Sequence, residues 1–234
     1  MSLEIAAEVA RRHHVARGAG AFDALTSSEV LTSVKWSAGF RSFKRAFDVV
    51  FSIAALPSIV GVSIVLLVLN PLYNPGPLFF RQDRMGRGGR RFRIWKFRTM
   101  RPERSNDFVR PPDAPIDDDR ITLLGRILRN TRLDELPNVF NILLGDMSLV
   151  GPRPDAWRHA RHYITLYPEY SERLRVKPGV TGLAQIRDGY ADTLRAVERK
   201  ARYDRFYIRH GCALLDFRIL LGTCAVVVFG NGAK

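Results

Sequence analysis

The sequence is poor in the residues that build disulfide frameworks and zinc sites. It has 2 cysteines in 234 residues, Cys212 and Cys224, and both lie in an apolar tail with no metal-ligand spacing around them. Its five histidines show no metal spacing either. A disulfide-stapled miniprotein is therefore excluded and a zinc module is not indicated. We expect both thiols to be reduced.

The first 40 residues lack the design of a secretory signal peptide. Charged residues interrupt every candidate apolar core there: Glu4, Glu8, Arg11 and Arg12. We expect residues 1–40 to form a loosely ordered lead-in and the bulk of the chain to stay in the cytoplasm. The sequence also lacks an internal repeat, and the glycines at 86–89 lack the spacing and strand–helix context of a dinucleotide site.

Acidic residues and lysines are both scarce. The chain has 23 acidic against 37 basic residues, for a net charge of +14, and 31 of the basic residues are arginines. The guanidinium group binds phosphate through a planar fork of donors. The composition therefore predicts an anionic partner, namely nucleic acid, a membrane surface or a phosphorylated substrate, without choosing between them.

A long apolar run is present. From Val49 to Phe80 there are 32 consecutive residues without a charge or a histidine. About 20 apolar residues suffice for a helix to cross a bilayer, whereas a buried core helix usually has only about 10 to 14. The run therefore predicts a membrane element.

Basic residues flank this run on both sides. Arg41, Lys44 and Arg45 precede it, and Arg81, Arg84 and a further series of basic residues follow it. Positive charge is retained on the cytoplasmic side, so both ends are expected on that side. We predict a re-entrant helix over residues 41–75 that breaks near Pro57 or Gly61, with a spanning helix as the alternative.

The remaining residues, 76–234, are predicted to form a cytoplasmic catalytic domain. Two strands joined by a turn at 86–89 form a short β-hairpin: Leu78–Arg81 and Arg91–Phe97. Residues 102–119 are predicted to be a loop, and the patterns further on predict helices at Ile121–Asn130, Glu135–Leu144, Tyr163–Val176 and Thr193–His210. Ala213–Phe229 is apolar but carries Asp216 and Arg218, which favours a helix in the membrane interface. The predicted fold class is α+β and mostly helical.

The segment Leu-Asp-Glu-Leu-Pro-Asn at 133–138 is the strongest candidate for chemistry. Its pattern predicts a helix start with Asp134 as N-cap and Pro137 in the first turn. A carboxylate there stays ionised and exposed, as a nucleophile must be. Adjacent helical residues point about 100° apart, so Asp134 and Glu135 suit separate functions, one attacking and one holding a metal.

A carboxylate that attacks a diphosphate meets like charge, so such a site needs Mg²⁺ or basic side chains. The candidates are Lys96, Arg98, Arg129 and Arg153. Arg153 lies between two prolines, which restrict its backbone. Each of these residues alone is typical of a solvated surface charge, and only their combination indicates a phosphate site.

Several motifs occur in a characteristic order. They are KRxxD at 44–48, GPxFFRQxRxG at 76–86, KFRTM at 96–100, LDELP at 133–137, GDMSLVGPRP at 145–154 and PGVTGLAQ at 178–185. In these motifs the chain resembles the bacterial sugar transferases, the monotopic phosphoglycosyl transferases that initiate polysaccharide and glycoconjugate assembly. The resemblance begins at Lys44 and covers about four fifths of the chain, leaving the lead-in outside.

The resemblance implies transfer of a sugar 1-phosphate from a UDP-sugar to a polyprenyl phosphate such as undecaprenyl phosphate, with release of UMP. It implies that Asp134 forms a covalent phosphosugar intermediate, that Glu135 binds Mg²⁺, and that Lys96, Arg129 and Arg153 surround the phosphates. It also implies a re-entrant helix in the bacterial cytoplasmic membrane with the active site facing the cytoplasm. Membrane lipids are the further partners implied, nucleic acid is not expected, and a homo-oligomer is left open.

The chain departs from the family pattern in two places. Gly61 stands where the family usually has its helix-breaking proline, and Pro57 comes one turn earlier. After Gln185 the chain also differs from many relatives, which leaves the sugar open. Two other functions use the same residues differently: a non-enzymatic membrane adaptor that binds anionic lipid or nucleic acid, and a phosphatase that acts on lipid-linked phosphate.

Overall fold

The computed structural model describes residues 34–101, 118–188 and 194–229. Within these ranges the chain is mostly helical and carries two small two-stranded β-sheets, which confirms the predicted α+β class. The predicted lead-in up to position 33, and the predicted loop from 102 to 117, lie outside the described residues.

The structure has seven α-helices and four strands in the described residues. The helices are α1 (Ala38–Tyr73), α2 (Leu123–Asn130), α3 (Asn138–Leu144), α4 (Trp157–Leu166), α5 (Leu183–Asp188), α6 (Leu194–His210) and α7 (Ala213–Phe229). The strands are β1 (Phe79–Met85), β2 (Arg91–Phe97), β3 (Ser148–Val150) and β4 (Gly179–Thr181).

Helix α1 contains the predicted membrane element. It begins at an N-cap serine, Ser37, whose Oγ accepts a hydrogen bond from the backbone N–H of Phe40 at 3.1 Å. Its 36 residues run through Pro57 and Pro71, so the predicted re-entrant path stays a prediction. The helix is long and apolar enough to cross a membrane, and only 17% of its most apolar window is buried, unlike the core helix of a soluble domain.

One side of α1 contacts the rest of the protein along its whole length. Near its beginning, Arg45 donates to the carbonyl oxygens of Ile142 and Leu143 at the end of α3, at 2.6 and 2.9 Å. In its second half, Ile59 and Leu66 belong to a buried apolar cluster with side chains of α2, α3 and β2. Beyond its last turn, the side-chain amide of Asn74 donates to the carbonyl of Arg98 at 2.8 Å.

The two sheets differ in topology. Strands β1 and β2 form the predicted antiparallel hairpin, in a register that pairs Phe79 with Phe97 and Met85 with Arg91. Strands β3 and β4 form a short parallel pair that the sequence pattern did not predict. The parallel pair and one end of the hairpin share a core with α3, α6 and α7.

Element bounds agree with the sequence predictions at β2 and α7, and disagree after α4. The predicted helix Tyr163–Val176 is wrong, because α4 ends at Leu166 and residues 168–175 form a 3₁₀ segment. Pro168 has no backbone N–H to donate and disfavours helical geometry at Tyr167, so it separates the two elements.

Close packing between α2 and the end of the hairpin generates the first prediction. A Cβ added at Gly125 would lie 2.0 Å from the backbone oxygen of Thr99. We expect Gly125→Ala to lower the free energy of unfolding by about 3 kcal/mol or more, because neither backbone can yield easily. Gly39→Ala is the matched control: an added Cβ meets nothing within 4 Å there, so no loss is expected. Thermal unfolding in detergent or nanodiscs compares the two, and equal melting temperatures would contradict the packing described.

Candidate active site

Asp134 and Glu135 lie in a 3₁₀ turn, Leu133–Glu135, between α2 and α3. Arg132 turns the chain into it with a left-handed backbone, at φ 59°, which is uncommon for a residue other than glycine. Pro137 cannot donate a backbone hydrogen bond, and α3 begins only at Asn138. The prediction of Asp134 as the N-cap of a helix starting at Glu135 is therefore wrong.

Both carboxylates are buried, contrary to the prediction of an exposed nucleophile. Asp134 is 7% exposed and Glu135 is 8% exposed. Their leucine neighbours, Leu133 and Leu136, pack against the apolar cluster that holds Ile59 of α1. Because these two leucines are packed against the cluster, the carboxylates between them are buried as well. Two adjacent carboxylates in such a place require nearby cations.

Glu135 is neutralised by two basic side chains. Its Oε1 accepts hydrogen bonds from Lys96 Nζ at 2.7 Å and from Arg153 Nη2 at 2.5 Å, and its Oε2 accepts one from Arg153 Nη1 at 3.2 Å. Burial alone would raise the pKa of Glu135, but Arg153 and Lys96 outweigh it and hold that pKa well below its ordinary value. Glu135 is therefore the stably ionised member of the pair.

Asp134 is held less tightly. The Nζ atom of Lys96 lies 4.0 Å from its Oδ2, at the outer limit of an ion pair. Burial raises the pKa of Asp134, and the positive charges of Lys96, Arg153 and Arg129 only partly oppose this shift. The carboxylate of Asp134 is thus close to three cations without being engaged by them as Glu135 is. That arrangement suits a group that reacts rather than one that is fixed in an ion pair.

The position of Lys96 is set by α3. The side chain of Asn141 accepts from the backbone N–H of Trp95 at 2.9 Å and donates to the carbonyl of Arg93 at 2.8 Å. These two hydrogen bonds fix β2 to the helix that follows the acidic turn. As a result, the next residue along the strand, Lys96, reaches Glu135.

Arg129 is the third cation of the site. Its Nε donates to Thr99 Oγ1 at 3.0 Å and its Nη2 contacts the sulfur of Met100 at 3.1 Å. Its remaining nitrogen, Nη1, makes no hydrogen bond with the described residues. Arg129 is therefore oriented from one side and keeps a donor for an anion.

The structure does not bring Arg98, the fourth predicted substrate-binding residue, to the acidic pair. Its buried guanidinium donates to the carbonyls of Asn74 and Pro77, which follow the end of α1. Free carbonyls after a helix need donors. Arg98 supplies them and so joins α1 to β2, which is a structural function that its motif did not reveal.

The comparisons with known proteins identify the family of the chain. The sequence profile described as Bacterial sugar transferase matches residues 40–230, well over half of the chain. The chain belongs to the bacterial sugar transferase family. The acidic turn, Lys96, Arg129 and Arg153 all lie in the matched part.

Three relatives of the chain illustrate the match. It is 42% identical over 183 residues to the UDP-glucose:undecaprenyl-phosphate glucose-1-phosphate transferase of Klebsiella pneumoniae, which covers 77% of this chain and 39% of that protein. It is 37% identical over 194 residues to the UDP-N-acetylgalactosamine-undecaprenyl-phosphate N-acetylgalactosaminephosphotransferase of Aeromonas hydrophila, covering 82% of this chain and 45% of that protein. It is 39% identical over 185 residues to an exopolysaccharide production protein of Rhizobium leguminosarum bv. phaseoli, covering 77% of this chain and 92% of that protein.

The chain spans about two fifths of the length of the first two of these relatives. Their names also specify different sugars, glucose and N-acetylgalactosamine. The family assignment therefore leaves the transferred sugar open.

Sequence reasoning missed two residues that shape the candidate site. Asn141 fixes β2, and its only sequence signal is a polar residue inside the apolar run of α3. Burial is the main cause that lowers the pKa of Lys96, and the positive charge of Arg84 adds to this effect. Arg84 also donates to the carbonyl of Pro154, beside Arg153, at 3.1 Å. Its only sequence signal was its place in the GPxFFRQxRxG motif.

The second prediction follows from the different surroundings of the two carboxylates, because Glu135 is paired with two cations and Asp134 is held less tightly. We expect Glu135→Gln to lower the free energy of unfolding by about 3 kcal/mol, because it leaves Lys96 and Arg153 without their shared anion. Asp134→Asn is the matched control and is expected to be neutral or stabilising, because burial disfavours the charge that it removes. The stability of both variants is measured by thermal unfolding in the presence of a chelator, so that a bound metal ion does not contribute to the difference.

The pH dependence of the Glu135 effect has a defined sign. A carboxylate whose pKa is lowered in the folded state stabilises the protein above its ordinary pKa, here 4.5, and loses that contribution as the pH falls further. The difference between wild type and Glu135→Gln should therefore be full at pH 7 and shrink in acid. A larger loss for Asp134→Asn than for Glu135→Gln would contradict the assignment.

Proposed function

We propose that the chain transfers a sugar 1-phosphate from a UDP-sugar to undecaprenyl phosphate or a similar polyprenyl phosphate, releasing UMP. One observation carries this proposal: a buried aspartate, Asp134, lies beside three cations in a protein whose longest helix is apolar and exposed. The names of the relatives support the substrate classes.

The reaction is proposed in two steps. A carboxylate oxygen of Asp134 attacks the β-phosphorus of the UDP-sugar and forms an acyl phosphate. The bond between that phosphorus and the bridging oxygen breaks, and UMP leaves with the oxygen. A phosphate oxygen of the polyprenyl phosphate then attacks the same phosphorus, the bond to Asp134 breaks, and the carboxylate is regenerated. One phosphate site can therefore serve donor and acceptor in turn.

The basic residues have distinct functions in this scheme. Nη1 of Arg129 has no acceptor among the described residues, and we assign this donor to the phosphate that is being attacked. Lys96 and Arg153 bind Glu135, and their positive charges also act on Asp134. Cations held in place before substrate binds stabilise the charge that develops on the phosphoryl oxygens, because little reorganisation is then needed.

Mg²⁺ is part of the proposal. Proteins commonly bind it through one or two carboxylates and leave its other positions to water and substrate phosphate. Asp134 and Glu135 fit that donor set, and the described residues contain no group of three or more His, Cys, Asp and Glu side chains that would form a fuller cage. Glu135 would hold the ion, which when bound supplies Lewis-acid stabilisation of phosphate charge. Lys96 and Arg153 would then share Glu135 with it.

The membrane anchor is proposed to be re-entrant, with both ends in the cytoplasm. Lys44 near the beginning of α1 pairs with Asp216 of α7 at 2.6 Å, and the buried Asp48 accepts from the backbone N–H of Leu149 at 3.0 Å. At the far end, the amide of Asn74 contacts the backbone of Arg98. Because both ends contact the same domain, a path that leaves one end on each side of the bilayer is disfavoured.

The exposed apolar side chains support a position of the site at the membrane surface. Those on α1 are accompanied by exposed apolar residues of α2 and α7, which are Leu123, Ile127, Leu214, Phe217 and Leu221. On α2, Leu123 and Ile127 lie within six residues of Arg129 along the chain. A helix that inserts this apolar side into the interface places Arg129 close to lipid phosphates.

The adaptor alternative accounts for the basic residues and the apolar helix but not for the acidic turn. A protein that only binds anionic lipid would gain nothing from two buried carboxylates among its cations. The burial of Asp134 and Glu135 at 7% and 8% exposure therefore favours an enzyme.

The third prediction tests the covalent step. With a donor chosen from a panel of UDP-sugars labelled at the β-phosphate, we expect label on Asp134 when Mg²⁺ is present and lipid acceptor is absent. Asp134→Asn should lose both the label and more than about 1,000-fold of the transfer rate. The matched control is Asp119→Asn, which changes an exposed carboxylate outside the site.

Three results would contradict this proposal: full transfer by Asp134→Asn, release of inorganic phosphate in place of UMP, or salt-sensitive lipid binding without turnover. The second would indicate the phosphatase and the third the adaptor.

The fourth prediction tests the membrane path. Phe43 precedes the apolar run, Phe80 is its last residue, and both side chains are exposed. We expect Phe43→Cys and Phe80→Cys to react with an impermeant thiol reagent from the cytoplasmic side only. The native cysteines, Cys212 and Cys224, are also exposed, so both are first replaced by serine. Labelling of the two positions from opposite sides would show a spanning helix.

A further inference from the structure

A second group of charged side chains lies buried behind the loop that carries Arg153. It consists of Asp155, Tyr170, Arg173, Lys200 and Asp204, which come from the loop after β3, the 3₁₀ segment and α6. Lys200 Nζ lies 2.7 Å from Asp155, and Arg173 Nη2 lies 3.1 Å from Asp204. Two carboxylates and two cations make the cluster neutral when all four are ionised.

Such a cluster is a poor source of stability. Removing several charges from water costs about as much as their mutual attraction returns, and apolar residues of similar size often stabilise a core equally well. Asp155 keeps its charge nonetheless, because Lys200 and Arg173 outweigh the effect of burial and hold its pKa far below the ordinary value. Stability is therefore a weak explanation for the cluster.

The cluster is attached directly to the residue that neutralises Glu135. Arg173 Nη2 donates to the backbone carbonyl of Arg153 at 2.5 Å, while Nη1 of the same guanidinium donates to the carboxylate of Asp155. One planar side chain thus binds the loop on both sides of Pro154.

The neighbouring carbonyls of the loop are also engaged. The carbonyls of Pro152, Pro154 and Asp155 accept hydrogen bonds from Gly179 N at 2.9 Å, Arg84 Nη1 at 3.1 Å and Met85 N at 3.2 Å. Together with the bond from Arg173, four consecutive carbonyls are held. The backbone of Arg153 is therefore fixed, and its long side chain begins from a defined point.

From these contacts we infer that Arg173 is a positioning residue for Arg153. It acts through the Arg153 carbonyl and through Asp155, and it does not itself contact substrate. The function requires a fork of donors, which a lysine lacks. The inference rests on the proposed transferase function, because it concerns the alignment of Arg153 toward Glu135 and the phosphates.

The size of the effect follows from geometry. A displacement of about 1 Å at a catalytic group can cost roughly 100-fold in rate. Arg173→Lys keeps the positive charge beside Asp155 but cannot hold Asp155, Asp204 and the Arg153 carbonyl at the same time. We expect it to lower kcat/KM by about 10- to 100-fold, with the same division between kcat and KM as Arg153→Ala.

The test is a double-mutant cycle on the full chain in nanodiscs, with UMP release and label transfer as readouts. The four proteins are wild type, Arg173→Lys, Arg153→Ala and the double variant. If Arg173 acts through Arg153, the double variant should be no slower than Arg153→Ala alone. Arg205→Lys is the matched control, since Arg205 lies on α6 and pairs with Glu169 of the 3₁₀ segment at the protein surface.

Failure of the inference and failure of the proposed function give different results. Multiplicative losses in the double variant, or wild-type kcat/KM for Arg173→Lys, would overturn the inference. If Arg173→Lys does not fold, Tyr170→Phe takes its place in the same cycle, because it removes only a hydroxyl that donates to Asp155 and accepts from Arg173. Absence of UMP release by the wild-type chain would overturn the proposed function instead, and is seen before any variant is compared.

Discussion

The ion pair of Glu135 with Lys96 and Arg153 is the contact on which the site depends. Its partners come from distant parts of the chain, a strand of the hairpin and the loop after β3. Each partner is held by separate hydrogen bonds. Asn141 fixes the strand that carries Lys96, and hydrogen bonds to consecutive backbone carbonyls fix the loop that carries Arg153. Because the pair is buried, an error in either set of hydrogen bonds would leave charge unneutralised in a poorly solvated place. The hairpin, α3 and the parallel strands therefore have to assemble together for the acidic turn to be tolerated.

Those parts of the fold that depend on local pattern were predictable. Strand β2 and helix α7 have the bounds that their sequences indicate. The uncharged run predicted a long apolar helix, which is α1 in the structure. Lys96, Arg129 and Arg153 were predicted only as a combination, and the structure brings all three to Asp134. Two adjacent buried carboxylates require nearby cations, which accounts for this grouping.

Features that depend on tertiary partners were not predictable. Arg98 looks like Lys96 in the sequence, yet it binds backbone carbonyls after α1, because nothing in the sequence shows where free carbonyls lie. Asp134 was predicted to be an exposed N-cap, but the flanking leucines bury it. The cluster around Arg173 joins residues 155 and 204, whose proximity no spacing rule indicates.

The attachment of α1 at both ends and in its middle has a consequence for how this protein can be divided. The helix contributes Ile59 and Leu66 to the same apolar cluster as Leu124 and Val139, and Asp48 satisfies a backbone donor of β3. Removal of the helix would therefore expose part of the domain's apolar interior and leave the backbone N–H of Leu149 in β3 without its acceptor. In this chain, the long apolar helix and the acidic turn therefore belong to one packed unit.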